Sequence, residues 1–223
     1  MKLVVVIPAR GGSKRLPRKN ILPLMNVPLI NYSIIYAKEE LPDVDVYMSS
    51  DDTDIQEISA RAGAIIINRP KELASDYVST AEVLVHASRV IQERGIDYDY
   101  MVLLQATNPL RPKGMLGEAL EIIKSEQKES LFTVSRLDKK LGRIQDDHFL
   151  PWNYKIGQRS QDLEPLYYEN GLLYISSKNL IDKGIIFDSD SYPMVIEHEY
   201  ATVDIDSLAD FEHAEYILRK NEQ

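Results

Sequence analysis

The run Leu3-Val4-Val5-Val6-Ile7, closed by Pro8, constrains the fold more than any other stretch of this chain. A continuous β-branched run without polar alternation is the pattern of a strand buried on both faces, typical of parallel sheets covered by helices. The rest of the sequence continues that theme. Residues 44–49, 64–67, 100–104, 131–134 and 172–175 read as strands, and 31–38, 52–62, 79–93, 113–125 and 209–219 as helices. Short strands alternating with such helices predict right-handed βαβ units. The fold class is therefore α/β, a mostly parallel central sheet with helices on both faces. Residues 136–168 break the alternation: they are polar, hold the one Trp (Trp152) and show no helical period. An irregular stretch of that length is unusual inside an α/β domain. It reads as an excursion with a job, such as a dimerisation arm, within one domain spanning 1–223.

Composition narrows the function classes. Apolar residues make up 44% of the 223, enough for a sizeable core. There is no cysteine, which excludes disulfides, thiolate metal sites and cysteine nucleophiles. The first apolar run falls far short of the roughly 20 residues of a membrane span. It also lacks the flanks of a secretory signal, so the expected location is the cytoplasm. A net charge of −9 argues against a nucleic-acid-binding face, but its distribution says more. Residues 1–38 hold seven basic residues and no acid, leaving −16 on the other 185. Five of those cations crowd into positions 10–19, which points to a local polyanion such as a phosphate chain.

That cationic segment, Arg10-Gly11-Gly12-Ser13-Lys14-Arg15-Leu16-Pro17-Arg18-Lys19-Asn20, follows the first strand directly, where open α/β sheets bind ligands. Gly11 and Gly12 let the backbone approach an anion and point N–H groups inward as a nest. Arg10, Lys14 and Lys19 can neutralise phosphate oxygens. The segment is neither a Walker loop nor a dinucleotide fingerprint, and its bland reading is a solvated basic turn. In Val203-Asp204-Ile205-Asp206 two carboxylates at i and i+2 share one face of an extended segment. They suit a hard divalent cation, or they are exposed acids before a helix N-terminus. Gln105, Thr107 and Asn108 follow the strand at 100–104 and suit sugar hydroxyls, or form a polar turn ending in Pro109. Ser79-x-x-Glu82 is a capping box, leaving Thr80 one position on to face a ligand. The four histidines show no ligand spacing.

In this order, IPARGGSKRLPRKNI at 7–21, RPKELASD at 69–76, LLQATNPLR at 103–111, YENGLLYI at 168–175 and VDIDSLADF at 203–211 resemble the acylneuraminate cytidylyltransferases. This is the CMP-sialic acid synthetase family, and the resemblance runs along nearly the whole chain. It implies a Rossmann-like nucleotidyltransferase that joins CTP to a nine-carbon 2-keto-3-deoxy sugar acid and releases pyrophosphate. By motif position, Arg10, Gly11, Ser13, Lys14, Lys19 and Asn20, with Arg69, Asp76 and Thr80, would bind the nucleotide. Gln105, Thr107, Asn108, Asn170 and Tyr174 would line the sugar pocket. Asp204 and Asp206 would hold Mg²⁺, and Lys19 and Arg10 would act with them in catalysis. The resemblance also implies a homodimer joined through the arm.

Departures from the family pattern bear on the sugar. Sialic-acid members commonly read Q-P-T-S-P-L-R where this chain has Ala106 and Asn108, and place an arginine where Ser160 and Tyr168 stand. Either Arg159, which with Gln161 belongs to the implied sugar-binding set, takes the substrate carboxylate, or the sugar differs. The run RSQDL at 159–163 looks more like members handling bacterial nonulosonates such as pseudaminic or legionaminic acid. An alternative is a 3-deoxy-manno-octulosonate cytidylyltransferase, although that family departs from GGSKRLPRKN after the first arginine. A second alternative is a non-catalytic nucleotide-binding protein, which loss of Lys19, Asp204 or Asp206 would have favoured.

Overall fold

A computed structural model describes residues 1–221. Its centre is a seven-stranded sheet in the order β11-β7-β10-β6-β1-β4-β5. Strands β1 (Leu3–Pro8), β4 (Val46–Ser50), β5 (Ile65–Asn68) and β6 (Tyr100–Leu103) form the parallel half. β10 (Leu166–Ser177) then inserts antiparallel between β6 and β7 (Ser130–Leu137), and β11 (Tyr192–Val195) closes the edge parallel to β7. β1 pairs with β4 on one side and β6 on the other. The strand order thus reverses at the carboxyl end of β1, the switch point where α/β sheets open a crevice.

The first strand is buried on both faces, as its composition requires. Val5 and Ile7 pack with Ile30, Ile34 and Ala37 of α1 (Leu29–Glu40), Ile55 of α2 (Thr53–Arg61) and Leu116 and Ala119 of α4 (Met115–Ser125). Val4 and Val6 face the opposite layer, with Leu84, Ala87 and Ile91 of α3 (Thr80–Glu93) and Ile181 of α5 (Lys178–Asp182). Successive side chains of a strand point to opposite faces, so one unbroken run feeds two cores. A third cluster lies beneath the switch point. There Leu24 of the small ribbon β2 (Pro23–Leu24)–β3 (Val27–Pro28) meets Val203, Ile205 and Phe211, Ala214 and Ile217 of α6 (Leu208–Asn221).

Pattern reading placed the parallel half and its helices but passed over β2, β3, α5 and β11, all short. It also saw only 172–175 of the twelve-residue β10. The capping boxes at Ser79/Glu82 and Ser207/Asp210 are both formed. Residues 136–168 are not wholly irregular, a correction to the reading of that stretch. β7 runs to Leu137 and β10 begins at Leu166, and between them β8 (Gly142–Gln145) and β9 (His148–Pro151) pair as an antiparallel ribbon. This ribbon projects with Ile144 at 80% and Trp152 at 60% exposure.

Arg111 locks the loop after β6. Its guanidinium is fully buried, and burial pushes it down to about 10. It donates to the Leu172 carbonyl at 2.7 Å, the Gln105 carbonyl at 2.9 Å and the Ser33 hydroxyl at 2.9 Å, over the Tyr36 ring. Arg111→Met takes the donor from the Leu172 carbonyl and leaves the Gln105 carbonyl only the Ser33 hydroxyl at 3.3 Å, each loss costing about 1–3 kcal/mol. It should lower unfolding free energy by about 2–4 kcal/mol in a denaturant titration with unchanged m-value; wild-type stability would contradict this role.

Candidate active site

Two cavities open side by side at the carboxyl ends of β1 and β6. The larger, about 530 Å³, is walled by segments brought together from across the chain. Arg10, Ser13, Lys14, Arg15, Lys19 and Asn20 come from the loop after β1. Arg69 and Asp76 come from the segment after β5, and Thr80 from the first turn of α3. Gln105 and Thr107 follow β6, and Asp206 precedes α6. Five cations therefore face two carboxylates, the balance of a site for a polyanion. The second cavity, about 350 Å³, is lined by Gln105, Tyr168, Glu169, Asn170, Gly171, Tyr174, Thr202 and Asp204. Gln105 belongs to both.

The acid-free loop finds its counter-ions elsewhere in the chain. Asp76 takes Arg10 at 2.8 Å and also Lys14, and these two cations hold its carboxyl below the ordinary range. Arg18 pairs with Asp54 at 2.5 Å. Lys19 donates to the Ile205 carbonyl and to Asp206 Oδ1, both at 2.7 Å, and Arg15 reaches Asp206 Oδ2 at 2.7 Å. Arg69 is buried against the Ser49 carbonyl and hydroxyl, and burial pushes its guanidinium down to about 10. Asn20 donates to the Arg10 carbonyl at 3.0 Å while its Oδ1 stays buried without a partner. An orphaned acceptor on a cavity wall is a position a ligand N–H or O–H would fill.

Gly11 behaves differently from an anion nest. Its N–H donates to Asp51 Oδ1 at 3.2 Å, and a Cβ there would sit 2.5 Å from Asp52 Oδ2. The glycine lets the loop pass close to the start of α2, and its amide turns away from the larger cavity. Asn108 also lies elsewhere than expected. It is buried and lines neither cavity, donating to the carbonyls of Asn170 and Val203 at 3.0 Å each. Its carboxamide oxygen lies 2.8 Å from where a Cβ on Gly171 would stand, and Gly171 has a φ of +75°. Asn108 thus ties the irregular turn of β10 to the 203–206 segment. Asn170 lines the second cavity, but its own carboxamide is consumed by Thr133, Ser135 and the Leu172 N–H. Tyr174 also lines that cavity and donates to Glu169 at 3.2 Å. Arg159 and Gln161 are exposed on the projecting segment, outside both cavities, and Arg159 is paired with Asp162 at 2.8 Å. Sequence reading left Arg15 and Glu169 unassigned. Arg15 was visible only as one charge of a run, and Glu169 as a carboxylate in a strand beside Asn170.

The paired aspartates straddle the boundary between the cavities. Asp206 faces the larger one and Asp204 the second. Burial raises the Asp204 carboxyl above its ordinary value and the charge of Asp206 raises it further, against a Thr107 hydrogen bond and the charge of Lys19. No ion pair within 4 Å neutralises Asp204 among the described residues. Among those residues no cluster of three or more His, Cys, Asp or Glu forms a ready metal cage. Mg²⁺ commonly takes one or two protein carboxylates and completes its octahedron with water and phosphate oxygens. Two hard carboxylates beside a cavity rich in cations, Asp204 solvent-accessible and without an ion pair among the described residues, fit that ion.

A family model described as cytidylyltransferase matches residues 4–222. The pseudaminic acid cytidylyltransferase of Campylobacter jejuni subsp. jejuni serotype O:2 is 35% identical over 232 residues, covering 100% of this chain and 99% of the relative. The N-acylneuraminate cytidylyltransferase of Streptococcus agalactiae serotype III is 32% identical over 238 residues, covering 100% of this chain and 56% of the relative. Among solved structures, a CMP:2-keto-3-deoxy-manno-octonic acid synthetase complexed with CTP superposes with a TM-score of 0.71 at 16% identity. That match covers 99% of this chain and all of the other and shows a shared fold. Full-length identity above 30%, a family match over nearly every residue and a phosphate-suited switch-point crevice converge: the chain belongs to the cytidylyltransferase family, a family of nucleotidyltransferases.

Proposed function

We propose that the chain transfers CMP from CTP to the anomeric hydroxyl of a nine-carbon 2-keto-3-deoxy sugar acid, releasing pyrophosphate in a Mg²⁺-dependent reaction. One observation carries the reading: the two cavities meet at Gln105, with Asp206 on one side and Asp204 on the other. Nucleotide in the larger cavity and sugar in the second would bring the α-phosphorus and the attacking hydroxyl to that junction. The O–Pα bond forms as the Pα–O bond to pyrophosphate breaks, and the hydroxyl proton passes to water. Asn20 and Arg69 would receive polar groups of the nucleoside, with Ser13 and Thr80 beside them. Arg10 and Lys14, now sharing Asp76, would turn to phosphate oxygens and stabilise charge growing on the leaving group. Lys19, fixed between Ile205 and Asp206, would neutralise the α-phosphate without moving. When bound by Asp204 and Asp206, Mg²⁺ supplies a Lewis acid that neutralises phosphate charge and lowers the hydroxyl pKa.

The favoured sugar is a bacterial nonulosonate such as pseudaminic or legionaminic acid. The resemblance to a pseudaminic acid cytidylyltransferase supports this. Tyr168 lines the second cavity, at a position where sialic-acid members commonly place an arginine. We read residues 1–223 as one domain acting as a homodimer in the cytoplasm, where its nucleotide substrate is found. The projecting ribbon is the dimerisation arm, with Ile144, Phe149 and Trp152 exposed. An apolar hollow of about 590 Å³ on the outer sheet, lined by Phe132, Val134, Tyr167 and Val195, supports that assembly. No helix among the described residues is long and apolar enough to cross a membrane.

The test is pyrophosphate release with Mg²⁺, crossing CTP, UTP, GTP and ATP against sialic, pseudaminic, legionaminic and eight-carbon ketosugar acids. Release with CTP and one nonulosonate is expected. Release only with the eight-carbon acid, or none from a folded protein that still binds CTP, would overturn the reading. Asp206→Ala should cut kcat by about a hundredfold or more, as loss of a transition-state charge contact does, with an unchanged circular dichroism spectrum. Lys14→Ala removes a charge-assisted phosphate contact of about 1.5–3 kcal/mol. It should raise the KM for CTP by about tenfold or more in steady-state kinetics and leave the KM for the sugar unmoved.

A further inference from the structure

The two cations on Asp206 are held very differently. Lys19 is 11% exposed and anchored a second time by the Ile205 carbonyl at 2.7 Å, so it is a fixture of the segment. Arg15 is 73% exposed and pairs with Asp206 Oδ2 at 2.7 Å, with the Asp210 carboxylate also in its field. Exposed ion pairs of this kind are weak and exchange readily. Asp206 itself is well positioned, since Asp210 accepts the backbone N–H groups of Asp206 and Ser207 at 3.1 and 2.7 Å. Without nucleotide, both oxygens of Asp206 are therefore engaged by cations, and a divalent cation arriving alone meets a guanidinium in its place. A polyphosphate in the larger cavity changes the competition, because arginine binds phosphate through paired, charge-assisted hydrogen bonds.

We propose that Arg15 is a positioning residue that makes divalent-cation binding conditional on nucleotide: its guanidinium covers Asp206 Oδ2 in the nucleotide-free protein and transfers to the phosphate chain, uncovering the carboxylate. The inference rests on the nucleotide and metal reading above. Its consequence is an order of assembly, with nucleotide opening the metal position. Lys19 stays in place through the exchange and keeps Asp206 from swinging away.

The experiment is titration of Mn²⁺ into nucleotide-free protein, followed by calorimetry and by the electron paramagnetic resonance signal of free Mn²⁺. It compares wild type with Arg15→Gln, Arg15→Lys, Asp206→Asn and the Arg15→Gln/Asp206→Asn double variant, each checked for a wild-type unfolding midpoint. Removing a unit charge a few ångströms from the site should tighten Mn²⁺ binding by roughly tenfold or more. Arg15→Gln should show that gain, Arg15→Lys should bind as weakly as wild type, and the double variant should lose the gain. Unchanged Mn²⁺ affinity in Arg15→Gln, with Asp206→Asn still weakening binding, overturns the role of Arg15 and leaves the metal reading standing. A gain in Arg15→Gln that survives in the double variant overturns both, because the ion then binds somewhere other than Asp206.

Discussion

The ammonium of Lys19 joins two segments 186 residues apart: it donates to the Ile205 carbonyl and to Asp206 at 2.7 Å each while its own loop leaves the end of β1. A buried ammonium is costly unless its protons are satisfied, so the loop cannot settle until the 203–206 segment is in place. That segment is fixed from below by Val203 and Ile205, buried with Leu24, Phe211 and Ile217. It is fixed from the side by Asn108, which holds the Val203 carbonyl. The larger cavity, the second cavity and the carboxylate pair between them all take their geometry from this closure.

Charge segregation along the chain is the sequence-level cause. Thirty-eight residues without an acid cannot neutralise themselves, and in the fold their cations find Asp54, Asp76 and Asp206 from three distant segments. Asp76 and Asp206 each serve two cations of the loop, so the larger cavity retains a positive surplus. A surplus that the protein declines to cancel is what a tetra-anionic nucleotide needs, and the same pairings keep the loop ordered before it arrives.

The parallel half of the sheet could be read because continuous apolar runs and 3.6-residue periodicity both report burial, and here burial follows secondary structure. β10 was read as a third of its length: its first four residues are wholly or partly exposed and its last eight buried, so no single period describes it. The cationic loop and the aspartate pair stood out in the sequence by charge and spacing, and the fold brings the loop and Asp206 to one cavity and Asp204 to the next. Asn108 and Asn170 were not legible in that way. A carboxamide serves a sugar hydroxyl or a backbone carbonyl equally well, and Asn108 and Asn170 turn out to spend theirs on the fold. Arg159 could not be placed by sequence either, since its segment leaves the sheet and pairs it with Asp162.

The central claim is that nucleotide and sugar occupy adjoining cavities whose boundary carries Asp204, Asp206 and Gln105. A crystal structure with the CMP-sugar product tests it most directly. The cytidine is expected between Asn20 and Arg69 in the larger cavity, the sugar against Tyr174 and Glu169 in the second, and the bridging phosphate within reach of Lys19 at the junction. A product lying wholly within one cavity, or a phosphate remote from Lys19 and the aspartate pair, would contradict it.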